Sequence, residues 1–297
     1  MATNHWIHTA VHGTVAGFKN WVASITEGLT AVGLAVADDT GQLDVDAIST
    51  LPTNGTVAGY QIWYLNDSLH VSAPIYIKLE YGTGSGTDRP AFAVTVGSGT
   101  NGAGTLTGIF GKRVAYSPSY PFNAGTQKSF ACKVEGCVWL SFADNGLNAT
   151  GKSFFFMVAR STDLDGTPTA EGAVCYYPRA SWDNFGPSSG NFITNWLSPD
   201  PFASSQPRGF GGDGTWCVKS FGMTKSETLD LKKQAIPHIV PFPDLRVTPY
   251  IFSILPGDSI TSPAELQVAI TSMDTRNYIA ITSLRSPATE VFGLIWE

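Results

Sequence analysis

PIYIKLEY, Pro74 to Tyr81, and AFAVTV, Ala91 to Val96, decide the fold class. In the first, Ile75, Ile77, Leu79 and Tyr81 alternate with Tyr76, Lys78 and Glu80. A period of two is that of a strand with one buried and one solvated face. GYQIWYL, CVWLSF, SFFFMVAR, AVCYY, TWCVKSFGM, PYIFSIL, ELQVAI and YIAITS are further short β-branched or aromatic runs set between turn-forming residues. Many short strands without alternating helices predict a mainly all-β protein. Its body, a β-sandwich or jelly-roll-like fold, is expected from about residue 51 to 297.

AFAVTV runs into GSGTNG, Gly97 to Gly102. The pattern G-x-G-x-x-G after a strand is that of a dinucleotide-binding turn, which must open a helix whose N-terminal amides hold pyrophosphate. AGTLTGIFGKRVAY follows, a poor helix and a reasonable strand. The acid required about 20 residues on is missing, since no Asp or Glu lies between Asp88 and Glu135. Asn101-Gly102 reads instead as a hairpin turn. ADNG, between CVWLSF and SFFFMVAR, reads the same way. GIFGKR lacks the first glycine and the Ser or Thr of a phosphate-binding loop.

Residues 1–50 differ from the body. Phe18, Trp21, Val22, Ile25, Leu29 and Val32 lie on one helical stripe, with Gly33 placed to end the helix. A short N-terminal helical arm is expected, its aromatic stripe packing on the body or on a symmetry mate. Within the body, residues 181–214 are rich in Gly, Pro and Ser yet carry Trp182, Phe185, Phe192, Trp196, Phe202 and Phe210. So many aromatics indicate a long ordered loop that packs on something.

The chain has 297 residues, of which 43% are hydrophobic, so a sizeable core is possible. Only 14% are charged, against about 25% in ordinary soluble domains. The surface must be covered by small polar and aromatic groups, as in proteins buried against neighbours or in sugar-binding surfaces. The net charge of −6 and the scattered basic residues argue against nucleic acid or anionic membrane as partners. The opening MATNHWIHTAVHG has no signal-peptide pattern, and no apolar run is long enough to span a bilayer.

Other motifs carry little chemistry. GPSSG, Gly186 to Gly190, centres Ser188 as a nucleophile elbow would, but Pro187 interrupts it and His238 is the only downstream histidine. STDLDGTPTAE places Asp163, Asp165 and Glu171 as a truncated calcium loop; a hairpin connection accounts for it equally. His5, His8 and His12 would share a face on a helix, without an acid or cysteine nearby to complete a metal site. Cys137, Cys175 and Cys217, inside the apolar runs CVWLSF, AVCYY and TWCVKSF, read as buried thiols, with a Cys132–Cys137 disulfide as the alternative. No catalytic residue, metal ligand or cofactor site emerges. Phe18, Trp21, Ile25, Trp182, Phe185, Trp196 and Trp216 are the candidate interface or ligand contacts, the tryptophans as sugar-stacking rings or as seals over a core or subunit interface.

FKNWVASITEGLTAVGL, DDTGQLD, the G-Y-x-I-W strand at Gly59 to Trp63, the N-D-S-L-H turn at Asn66 to His70 and P-I-Y-I-K-L-E-Y-G-T-G carry a resemblance. Together with the glycine-rich stretch to Gly108, they resemble virion-associated structural proteins of tailed bacteriophages. The resemblance covers residues 18–108, about a third of the chain. It implies a copy-repeated component of a phage particle and does not say which layer. We expect a non-enzymatic part of the tail, baseplate or neck, assembled in the host bacterial cytoplasm. Its partners would be identical copies and other virion proteins. A glycan-recognising receptor-binding module and a head decoration or head-fibre protein are the alternatives, with a polysaccharide-degrading enzyme behind them.

Overall fold

A computed structural model describes residues 3–9, 13–84, 90–116, 127–143, 153–163, 165–176, 235–242, 244–254, 264–271, 274–282 and 291–297. Among the described residues the fold is mainly β, with one helix and three five-stranded sheets whose paired strands run antiparallel.

The first sheet has the order β1 (Thr3–Thr9), β7 (Gln127–Val134), β8 (Cys137–Ala143), β9 (Ser153–Thr162) and β10 (Pro168–Tyr176). The second runs β2 (Ala35–Val36), β3 (Val57–Tyr64), β4 (Tyr76–Thr83), β5 (Pro90–Thr100) and β6 (Leu106–Tyr116). The third runs β11 (Ala235–Phe242), β12 (Asp244–Ile254), β15 (Val291–Ile295), β14 (Asp274–Thr282) and β13 (Ala264–Thr271).

The helix α1 (Val15–Ala31) has clear start and stop signals. Thr14 caps it, its hydroxyl accepting from Gly17 N at 3.0 Å. At the other end Gly33 takes φ +84°, Gly33 N donates to Thr30 O and Leu34 N to Leu29 O. This pair of bonds is a Schellman motif, and glycine supplies its left-handed residue without a Cβ penalty.

The apolar stripe of α1 packs on the chain's own sheets. Phe18, Trp21, Val22, Ile25 and Leu29 share one core with Trp63, Leu79, Tyr81 and Val94 of the second sheet and Val138, Leu140, Phe156 and Val158 of the first. A buried polar bridge runs through it: Thr26 Oγ1 donates to Gln61 Oε1 at 3.1 Å and Tyr81 Oη donates to the same oxygen at 2.9 Å. Burial pushes the Tyr81 phenol well above its ordinary range, so it stays a neutral donor. β1 extends the edge of the first sheet by pairing with β7. Residues before 51 therefore share the core of the body.

The first sheet is covered on its other face too. Phe130, Cys132, Cys137, Trp139, Met157 and Ala159 are buried there. Trp139 Nε1 donates to Ile295 O at 2.7 Å, and the Trp296 ring meets Trp139 at 5.6 Å and Phe130 at 6.0 Å between centroids. A strand buried on both faces needs apolar residues at consecutive positions, which explains the unbroken runs CVWLSF and SFFFMVAR.

GSGTNG ends β5 and enters the connection to β6, so the hairpin reading holds and the helix of a dinucleotide turn is replaced by a strand. Asn101 Oδ1 accepts from Ala103 N and Thr105 N at 2.9 and 3.0 Å, and Gly102 takes φ +77°. A Cβ on Gly97 would lie 2.6 Å from Thr107 O; glycine here permits close strand approach at a bulge, not phosphate contact. CVWLSF and SFFFMVAR pair as adjacent antiparallel strands. Their ADNG connection lies outside the described residues beyond Ala143.

Candidate functional site

The polar groups converge at the N-D-S-L-H turn. β3 delivers the chain to buried Leu65, and Asp67 N donates back to Leu65 O at 3.1 Å. Asp67 Oδ1 accepts from Leu69 N at 3.2 Å, the local turn that Asp side chains favour. The same carboxylate takes both arms of Arg160: Nε to Oδ2 at 2.6 Å and Nη2 to Oδ1 at 2.9 Å. The side chains are 0% and 2% exposed respectively. Arg160 sits near the end of β9 and its backbone N donates to Gly136 O at 2.7 Å.

Glu135 and Gly136 form the two-residue turn between β7 and β8, with Gly136 at φ +74°. Glu135 Oε1 accepts from both Ser68 N at 3.0 Å and Ser68 Oγ at 2.6 Å. These two bonds hold the Glu135 carboxyl below the usual carboxylate range. From the third sheet, Tyr250 Oη donates to Glu135 O at 3.1 Å. The cluster thus ties one turn of the second sheet to the first sheet, and the first sheet to the third.

Chemically, these groups are committed to one another. Both Asp67 oxygens are occupied by a bidentate guanidinium, and removing either partner would strand a buried charge. Ser68 donates its proton to a carboxylate whose lowered pKa makes it a weak base, so the pair is not an activated serine. The arrangement registers sheets.

A second polar network surrounds GSGTNG. Asp39 Oδ1 accepts from Gly104 N at 2.9 Å and from Thr100 Oγ1. Thr40 N donates to Gly102 O at 2.9 Å, and Tyr60 Oη to Thr40 O at 2.6 Å. The Lys78 ammonium lies 4.4 Å from the Tyr60 ring centroid and donates to Gly104 O at 2.7 Å. Thr100 and Gly104, at this glycine-rich turn, are thus held by a carboxylate, the opposite of what a phosphate would require.

The outer face of the second sheet carries an aromatic group. Tyr64 and Tyr76 are register partners, and His70 stacks on Tyr64 at 4.3 Å between centroids. Four residues along β4 from Tyr76, Glu80 pairs with Arg113 at 2.5 Å. All five side chains belong to half-buried residues.

Phe18, Trp21 and Ile25 are 0%, 3% and 0% exposed, covered by the chain itself. Of the two coverings expected for the stripe, the body provides this one. Trp182, Phe185, Trp196 and Trp216 lie outside the described residues, as do the 181–214 loop, GPSSG and His12. His5 and His8 lie in strand β1, so the helix that would give them a common face does not form there. His238 lies in β11.

Asp163 and Asp165 occupy the β9–β10 hairpin connection, where both accept from Thr167 N, at 2.9 and 2.8 Å. A hydrogen bond between the two carboxyls raises Asp163 and lowers Asp165 to about 2. Among the described residues no group of three or more His, Cys, Asp or Glu is placed to hold a metal ion. Cys132, Cys137 and Cys175 are buried free thiols, so the Cys132–Cys137 disulfide is not formed. Among the described residues no helix is long and apolar enough to cross a membrane.

The Asp67–Arg160 pair escapes sequence reading because its members lie 93 positions apart. The available signals are an Asx-turn residue after a strand and an arginine closing an apolar run. No family model matches the chain, and no curated protein matches it.

Proposed function

We propose that the chain is a structural component of a tailed-bacteriophage particle, working through contacts with identical copies and other virion proteins in the tail, baseplate or neck. The observation that carries this reading is how the phage-like segment is used. Trp63 of G-Y-x-I-W and Tyr81 of the following strand are buried in the core. Asp67 of N-D-S-L-H anchors the buried ion pair to Arg160. The resembling motifs are thus spent on joining sheets, the need of a building block under load. The low charge content of the whole chain supports a surface designed for contact. The test is immunogold labelling of tailed particles with antibody to the purified chain. Decoration at a fixed position is expected; a chain found only in the soluble lysate overturns the reading.

A second reading, a glycan-recognising module, is favoured by the half-buried, mutually contacting rings of Tyr64, His70 and Tyr76. Aromatic faces with polar neighbours suit sugar rings. Glycan-array binding lost in Tyr76→Ala would favour it.

A further inference from the structure

The chain contains Asn-Gly three times, at Asn54, Asn101 and Asn145, the last outside the described residues. The same dipeptide therefore appears in two described turns with different surroundings. We propose that Asn54–Gly55 is a site of spontaneous backbone modification, deamidation through a succinimide, and that the fold withholds this reaction from Asn101–Gly102.

The chemistry needs only water. The Gly amide nitrogen gives up its proton and attacks Cγ of the preceding Asn. A C–N bond forms, the carboxamide C–N bond breaks, and ammonia leaves with the proton. Water then opens the five-membered imide at either carbonyl, giving aspartate or isoaspartate. Glycine favours the attack because it has no side chain to obstruct it. The remaining requirement is that the Asn side chain can swing toward the next nitrogen.

At Asn101 it is held. Oδ1 accepts from Ala103 N and Thr105 N, while Asn101 N donates to Thr105 O at 3.0 Å. Gly102 N is engaged by Thr100 Oγ1 at 3.2 Å, and Gly102 O accepts from Thr40 N. Rotation of the carboxamide must break two hydrogen bonds at once.

At Asn54 the side chain is exposed and, among the described residues, has no hydrogen-bond partner. Asn54 and Gly55 are the central residues of a turn closed by Thr56 N to Thr53 O at 3.0 Å, with Gly55 at φ +74°. One bond opposes attack, from Gly55 N to Gly84 O at 2.6 Å. Thr83 Oγ1 steadies the turn by donating to Pro52 O at 3.2 Å and Thr53 O at 2.8 Å. Isoaspartate would insert one extra backbone atom in this turn and weaken its seat on β4.

The test incubates the purified full-length chain in mildly alkaline buffer, folded and in urea, and follows both peptides by mass spectrometry with isoaspartate-sensitive digestion. Folded, product at Asn54 is expected to accumulate several-fold faster than at Asn101; in urea the two rates converge. Thr83→Val should accelerate Asn54 alone, and Thr100→Val should accelerate Asn101 alone; circular dichroism confirms that each variant is folded. If a variant unfolds, the wild-type comparison decides. Equal rates in the folded chain, or Asn101 ahead of Asn54, overturn the proposal. So does an unmodified Asn54 over a time in which the urea-unfolded chain reacts at both positions.

Discussion

Asp67 and Arg160 meet as a bidentate pair, at 2.6 and 2.9 Å, with side chains 0% and 2% exposed. The pair fastens the N-D-S-L-H turn of the second sheet to β9 of the first. Removing one partner leaves an uncompensated buried charge. Arg160→Met and Asp67→Asn should each destabilise the fold by about 3–5 kcal/mol. The double variant Asp67→Asn/Arg160→Met should lose less than the two single losses added. Urea unfolding of the four proteins checks this; additive losses would show that the two residues act independently.

Ser68 sets the acid response of the same turn. Its hydroxyl and amide hold Glu135 below the ordinary range. A carboxyl depressed in the folded state contributes stability above its unfolded pKa, about 4.3. That contribution is lost as pH falls through the lower folded value. Ser68→Ala should raise the Glu135 titration toward normal, read by carboxyl chemical shifts. The wild type's advantage in urea midpoint should be present near neutrality and vanish in strong acid.

Gly102 and Gly104 separate backbone strain from side-chain overlap. Both have positive φ, at +77° and +86°. A Cβ on Gly102 meets open space, whereas one on Gly104 would overlap the Tyr60 hydroxyl that donates to Thr40 O. Gly102→Ala should cost roughly 1–2 kcal/mol from the left-handed backbone alone. Gly104→Ala should cost a further 1–3 kcal/mol or so, as displaced Tyr60 gives up its bond. Thermal unfolding distinguishes them, and equal losses would refute the overlap.

The buried thiols should be inert. Burial pushes Cys132 up to about 12 and Cys137 well above its ordinary value. The thiolate is the reacting form. In a Cys217→Ser background, a disulfide reagent at mildly alkaline pH should leave the folded chain unlabelled and modify three thiols in guanidinium. Rapid labelling of the folded chain would contradict their placement.

The elements legible in sequence were those whose pattern is local. PIYIKLEY alternates because one face of β4 is buried, and α1 announces itself through its stripe and Gly33. β7, QKSFACKV, carries no clear apolar signal, since Gln127, Lys128, Ser129 and Lys133 interrupt it, yet Lys133 is only 9% exposed. β11, AIPHIVPF, hides behind Pro237 and Pro241, which an edge strand tolerates. β1 was obscured by histidines read at helical spacing. The candidate site was illegible because its partners come from distant strands: Ser68 and Glu135 are 67 positions apart. Only tertiary register brings them together.

The central claim is that the chain is a built-in part of a tailed-phage particle. Quantitative mass spectrometry of particles purified on a density gradient from cells infected with the encoding phage tests it most directly. The account predicts the chain at a constant multiple-copy ratio to the other particle proteins across preparations. A chain absent from the particles and recovered wholly in the soluble fraction would contradict it.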